Sequence, residues 1–290
     1  MGLPLPSHRT EPEEWGKIMT TLSCQKELRP EVMNLLGMPF HAVNFDRTVE
    51  LLLNLVRTRQ GAYAVTANVD HLVRFHRCPE LRDVYFQADL ILADGMPLVW
   101  ASRLLGTPLP QRVAGSDLFP ALCRHAADEE LSVFLLGGAR GSARRAAALL
   151  KRRHPRLAIG GVYCPTYCFA DDPDEQRHAL RLIQNARPDI LFLGLGSPKQ
   201  ENWIVRNRFA CGARLSIGVG VSFSFYCGDI VRAPLWMQKA GLEWLHRMVQ
   251  EPRRLARRYL IDDRLFLSLF ARAWVARLMG RPVGAFQPRQ

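Results

Sequence analysis

From Met38 onward, short apolar runs alternate with longer amphipathic stretches, and this alternation limits the possible folds more than any other feature of the chain. The apolar runs are Tyr63–Ala67, Leu90–Ala93, Ser132–Leu136, Leu157–Val162, Ile190–Leu195 and Leu215–Val219. Helical periodicity fills the gaps over Asp46–Arg59, Pro79–Gln87, Met96–Leu105, Ser116–Glu129, Ser142–Arg153, Pro173–Ala186 and Lys199–Phe209. Several of these stretches open on a Ser or Asp cap or an early Pro. Strands alternating with helices predict an α/β fold built on a mostly parallel sheet. Most of the strands are apolar almost throughout, as they must be when helices cover both faces.

The two ends of the chain break the pattern. Residues 1–35 contain Pro4, Pro6, Pro12 and Pro30 and show no periodicity, which predicts a loosely ordered extension. After Arg232 no strand appears. Two helices are expected there, Leu235–Gln250 and Arg254–Leu278, separated by Glu251-Pro252. The second carries Leu255, Tyr259, Phe266, Phe270 and Trp274 on one stripe, interrupted or flanked by Arg257, Arg258, Arg264, Arg272 and Arg277. An interfacial helix has this composition, and so does a helix packed on a core or on a second copy.

Charge follows the same division. The chain of 290 residues carries a net charge of +12. Residues 231–290 hold eleven Arg and one Lys against four acids, so +8 of the excess sits in about a fifth of the chain. An anionic partner is implied: nucleic acid, an anionic membrane surface or a phosphate-bearing substrate. The seven cysteines are scattered, only Cys164 and Cys168 lying close together, and read as reduced thiols of a cytosolic protein. Met1–Lys17 has no apolar stretch of the kind a signal peptide needs. No apolar run approaches membrane-spanning length, so contact with a membrane would be peripheral.

Open α/β sheets bind ligands outside the carboxyl ends of their strands. Four of the predicted strand ends here are polar or glycine-rich. Thr66-Ala67-Asn68-Val69-Asp70-His71 offers a hydroxyl, an amide, a carboxylate and an imidazole, although Asn68 or Asp70 also suits a helix cap. Asp94 follows a buried run directly, where it can serve as a general base toward a hydroxyl or simply form an Asp-Gly turn with Gly95. Gly137-Gly138-Ala139-Arg140-Gly141 runs into a helix, a weak form of a phosphate-binding loop. The acid that would hold a ribose about 20 positions further on is missing, which speaks against a nicotinamide cofactor. Finally, Gly194-Leu195-Gly196-Ser197-Pro198-Lys199-Gln200-Glu201 suits diphosphate and sugar hydroxyls better than packing. The histidines and cysteines form no metal-ligand spacing, so no metal is expected, and no GxSxG elbow is present.

Taken in order, these blocks resemble the WecG/TagA/CpsF glycosyltransferases, the xanthan-type and teichoic-acid-type lipid-linked sugar transferases. The matching blocks include Thr66-Ala67-Asn68, Ala93-Asp94-Gly95, Arg112-Val113-Ala114-Gly115-Ser116-Asp117-Leu118 and Phe134-Leu135-Leu136-Gly137-Gly138. They continue with Arg187-Pro188-Asp189, Gly194 through Glu201, Arg232-Ala233-Pro234, Gly241 through Arg247, and Glu251-Pro252-Arg253-Arg254. The resemblance runs from about Leu36 to about Tyr259. It implies a Rossmann-like catalytic core over 36–230, preceded by the 1–35 extension and followed by a basic, helical, membrane-docking appendage over 231–290.

The implied reaction is inverting transfer of a hexose or N-acetylhexosamine from a UDP-sugar to a polyprenyl-diphosphate-linked sugar in polysaccharide biosynthesis. It would run on the cytoplasmic face of the membrane without cofactor or metal. Asp94 matches the family's proposed base, and Thr66, Asn68, Arg112 and Gln200 match its pocket. Arg247, Arg254 and Arg257 match appendage arginines thought to close over the diphosphate. With Gly137, Gly138, Gly194, Gly196, Lys199 and Glu201 from the polar strand ends, these complete the expected site. Ser224 stands where the family often has Asp. A nucleic-acid-binding protein and a nucleotide-dependent oxidoreductase are the competing expectations, of which the first lacks a recognition element and the second a ribose acid. Donor sugar, acceptor sugar and oligomeric state, a homo-oligomer included, are left open.

Overall fold

A computed structural model of the chain describes residues 30–252 and 263–281. Six strands form one all-parallel sheet: β3 Ala62–Ala67, β4 Leu90–Ala93, β5 Ser132–Gly137, β6 Ala158–Tyr163, β7 Ile190–Gly194 and β8 Leu215–Gly218. Their spatial order is β4-β3-β8-β7-β5-β6. The strand period of two explains the nearly continuous apolar runs. Tyr63, Val65 and Ala67 enter one core with Ile91, Leu136 and Leu193. Their alternates Ala62 and Ala64 enter a second core with Leu92, Leu135 and Phe192. Helices α2 (Val69–Arg77), α3 (Pro79–Phe86), α4 (Met96–Leu105), α7 (Pro173–Ala186) and α8 (Lys199–Asn207) contribute to the first core. Helices α1 (Phe45–Thr58), α5 (Gly115–Asp128) and α6 (Ser142–Arg153) contribute to the second. The expected α/β class with helices on both faces is therefore what the structure has.

Three elements differ from the sequence reading. A hairpin, β1 Val32–Leu35 with β2 Met38–His41, lies partly inside the segment assigned to a loose extension. Its turn places Leu36 and Gly37 at positive φ, and the Asn34 side chain accepts the Gly37 N–H at 2.8 Å. His41 on β2 accepts the Ile91 N–H at 2.9 Å, giving the edge strand β4 a partner on its open side. Second, α2 begins immediately after Asn68, where a polar strand end was expected. Third, the helix expected over Leu235–Gln250 is two helices, α10 Leu235–Lys239 and α11 Glu243–Gln250. The break is at Gly241 (φ +65°), which packs so closely on Met96 and Trp100 that a Cβ there would lie 2.3 Å from the Trp100 ring.

The last described helix, α12 Arg264–Leu278, packs one side of its apolar stripe on the core. Phe266 is buried, and Leu265, Leu269, Phe270 and Ala273 pack on the first core. Leu267, Val275 and Leu278 remain exposed on the helix. No described helix is long and apolar enough to cross a membrane.

Candidate active site

The chain passes from β4 into α4 through Asp94 and Gly95. The Asp94 N–H donates to Ala67 O at 2.8 Å, tying the residue to the end of β3. After α4 the backbone returns over the same edge, and the Val113 N–H donates to Ala93 O at 2.9 Å. This return sets Arg112 beside Asp94. The Asp94 carboxylate is half-buried and accepts a long hydrogen bond, 3.4 Å, from the Gly115 N–H at the start of α5. Among the described residues it has no ion pair. Desolvation pushes its pKa up to about 6; Arg112 and the Gly115 N–H oppose the rise, and the charges of Glu243 and Asp117 add to it.

Arg112 does not point its charge at Asp94 alone. Its Nη1 donates to Glu243 Oε2 at 2.7 Å, and its Nη2 donates to Asp117 Oδ2 at 3.2 Å. Arg232 completes the group, donating to both Asp117 oxygens at 2.5 and 2.9 Å, with its Nε 3.5 Å from Glu243 Oε1. Two guanidiniums and two carboxylates thus interlock beside Asp94. Glu243 belongs to α11 and Arg232 to the segment before α10, so this group is also where the C-terminal helices meet the core. Asp117, Arg232 and Glu243 lie within the recognised blocks but were expected to do nothing specific.

A second polar chain runs along the ends of β3 and β8. The Thr66 hydroxyl donates to Gly218 O at 3.0 Å. Gln200 Oε1 accepts the Gly220 N–H at 3.3 Å, and its Nε2 donates to Glu201 Oε1 at 2.7 Å. Glu201 Oε1 lies 3.3 Å from His71 Nε2. Asn68 caps α2, its Oδ1 accepting the Asp70 N–H at 3.0 Å, while His71 Nδ1 accepts the Asn68 N–H at 3.3 Å. The cap reading of Asn68 therefore holds. Glu201 was expected among the ligand contacts, but it has no exposed surface and lies behind Gln200. Thr66 and Gln200 are also nearly covered.

The glycines separate into two kinds. A Cβ on Gly137 would fall 2.8 Å from the Gly194 backbone, and one on Gly194 would fall 2.8 Å from Gly220 O. The Gly138 N–H donates to Gly194 O at 2.9 Å, so that amide is already engaged. These three glycines let the ends of β5, β7 and β8 close over Phe223. Gly196 (φ +76°) and Gly220 (φ +56°) face open space. The rim beside Gln200 is consequently where bare backbone is accessible.

Arg247 on α11 sets its guanidinium 5.5 Å from the centre of the Phe225 ring, over the helix α9 Ser222–Tyr226 that follows β8. Its Nε is buried without a hydrogen-bond partner among the described residues. Lys199 is turned outward, donating to Tyr167 O at 3.2 Å and covering the Tyr167 ring. Ser224 is buried within α9. Arg254 and Arg257 lie outside the described residues.

The chain is similar to known proteins over most of its length. Residues 33–279 match the Glycosyl transferase WecG/TagA/CpsF family. An N-acetylglucosaminyldiphosphoundecaprenol N-acetyl-beta-D-mannosaminyltransferase of Bacillus spizizenii is 34% identical over 198 residues, covering 68% of this chain and 75% of the relative. A Bacillus subtilis protein of the same name is 31% identical over 198 residues, with the same shares covered. One from Staphylococcus aureus is 28% identical over 227 residues, covering 78% of this chain and 87% of the relative. The chain is a glycosyltransferase and belongs to the WecG/TagA/CpsF family.

Proposed function

We propose that the enzyme transfers an N-acetylhexosamine or hexose from a UDP-sugar to a sugar carried on a polyprenyl diphosphate, with inversion and with Asp94 as the general base. The observation that carries this reading is the state of Asp94: half-buried, without an ion pair among the described residues, with a pKa near 6 and at the carboxyl end of β4. A carboxylate so placed is ionised at neutral pH, yet basic enough to take a proton from an attacking sugar hydroxyl. The names of the relatives support an acceptor of the N-acetylglucosaminyl-diphosphoundecaprenol class and favour N-acetylmannosamine as the sugar moved.

In this reading the acceptor hydroxyl lies against Asp94 and attacks the anomeric carbon through an oxocarbenium-like state. Negative charge grows on the departing UDP. Arg112 and Arg247 take up part of it, with Arg254 and Arg257 assigned the same task by family resemblance. The donor lies over the open rim at Gly196 and Gly220, beside Gln200. Gly137, Gly138 and Gly194 shape this edge by packing. The exposed apolar side of α12, together with its arginines, is assigned to the membrane that holds the acceptor.

A panel of UDP-sugars assayed for UDP release against a short-chain polyprenyl-diphosphate N-acetylglucosamine tests the proposal. Acceptor-dependent release with UDP-N-acetylmannosamine, above that with UDP-glucose, is expected. Failure of every UDP-sugar to turn over with any lipid-diphosphate sugar would refute it.

A further inference from the structure

The ion-pair group beside Asp94 fixes where the Arg112 guanidinium lies. Arg112 has to stay near the reacting centre to meet the diphosphate, yet a free guanidinium at that distance would pair with Asp94. A carboxylate locked to an arginine is a poor base, because the proton it should accept competes with the cation. The structure shows how pairing is avoided. Arg112 Nη1 is held by Glu243 at 2.7 Å and Nη2 by Asp117 at 3.2 Å, while among the described residues the Asp94 carboxylate accepts only from the Gly115 N–H at 3.4 Å. Arg112 and Glu243 are both largely covered, with 16% and 19% of their side chains exposed, so water screens the contact weakly.

We propose that Glu243 is a positioning residue for the transfer: from α11 it holds the Arg112 guanidinium off Asp94, leaving the base unpaired and the cation beside it. The proposal rests on the reading of Asp94 as the base. It also gives the C-terminal helices a task in the chemistry beyond supplying arginines, since without α11 no Glu243 restrains Arg112. Asp117 shares the work, but it is also bound by Arg232 through both oxygens and is the more exposed carboxylate. The charged groups acting on Asp94 are Arg112, Glu243 and Asp117, and Asp94 in turn acts on Arg232. Of the two restraining carboxylates, Glu243 exerts the larger influence on Asp94.

The test is the pH profile of kcat/KM for the full-length enzyme and its Glu243→Gln variant. The amide keeps the shape and one hydrogen bond to Arg112 but loses the charge. Removing a negative charge and loosening Arg112 both favour the ionised form of Asp94, so the acid limb should move to lower pH, by about half to one unit. The plateau rate should fall several-fold because the base is weaker, and Glu243→Asp should restore much of both. An acid limb that stays in place while only KM rises would overturn the proposal and reduce Glu243 to a docking contact. If Glu243→Gln fails to fold, Asp117→Asn must shift the limb in the same direction, and an unmoved limb there overturns the proposal equally. The underlying reading fails separately: an active Asp94→Asn variant removes the base itself, whereas an inactive one with an unmoved Glu243→Gln limb removes only the role of Glu243.

Discussion

The carboxylate of Glu201 on α8 meets the imidazole of His71 on α2 at 3.3 Å, with both side chains almost completely buried. Burial alone would raise the pKa of Glu201. Hydrogen bonds from His71 and Gln200, together with the field of His71, outweigh it and hold the carboxyl below its usual range. Replacing Glu201 by Ala removes the carboxylate that His71 Nε2 and Gln200 Nε2 meet in the interior. The loss of stability should be about 3 kcal/mol, measured by urea unfolding. The sign of the pH effect follows from the direction of the shift. The contribution of Glu201 is fully present above its unfolded pKa near 4.5 and is lost as pH falls through the lower folded value. Glu201→Gln should therefore lose less stability than the wild type on acidification below that point.

Asp94 has the opposite sign. Its folded pKa of about 6 lies above the unfolded value of 3.8, so the folded state binds the proton more tightly. Ionised Asp94 accordingly weakens the fold, by nothing below about pH 4 and by its full amount above pH 6. Asp94→Asn should be inactive yet more stable than the wild type at pH 8, by up to about 2 kcal/mol given partial exposure. The gain should vanish at pH 4 in thermal melts. A functional residue that strains its fold behaves this way.

Arg112 is held by two carboxylates through two different nitrogens. A lysine ammonium cannot reproduce that fork, so Arg112→Lys should behave nearly as badly as Arg112→Ala. A loss of about a hundredfold or more in kcat is expected for both, as for removal of one donor to a developing anion. Steady-state kinetics would decide, and a lysine variant within a few-fold of wild type would show that point charge suffices.

The two kinds of glycine predict separable defects. Gly137→Ala drives a methyl group to 2.8 Å from the Gly194 backbone at a φ of +99° and should destabilise the enzyme by about 3 kcal/mol. Gly196→Ala meets no neighbour and bears only the left-handed backbone strain, about 1 kcal/mol. If the donor lies over Gly196, this milder variant should show the larger rise in donor KM. Chemical unfolding and donor titrations separate the two effects.

Much of the fold was readable because its signals are local. Most strands of the parallel sheet are nearly continuous apolar runs, and α4, α6 and α7 span the residues their helical periodicity predicts. The split between α10 and α11 was not readable, since Gly241 alone does not end a helix; its contact with Trp100 in a distant helix does. The hairpin was hidden for a similar reason, as β1 has one buried residue and gains its place from β2. At the site, the types and spacing of residues marked Asp94, Gln200 and Asn68 as polar groups at strand ends. The partnership of Arg112 with Glu243, 131 residues apart, exists only in three dimensions. Similarly, Glu201 and Gln200 are polar sequence neighbours, both buried, and only their partners separate them: Gln200 accepts the Gly220 N–H at the rim, whereas Glu201 meets His71 behind it.

Acceptor-dependent UDP release by the wild type and by Asp94→Asn, measured beside UDP binding to both proteins, tests the central claim most directly. The variant should bind UDP as the wild type does and release essentially none from UDP-N-acetylmannosamine in the presence of polyprenyl-diphosphate N-acetylglucosamine. Near-wild-type turnover by Asp94→Asn would contradict it.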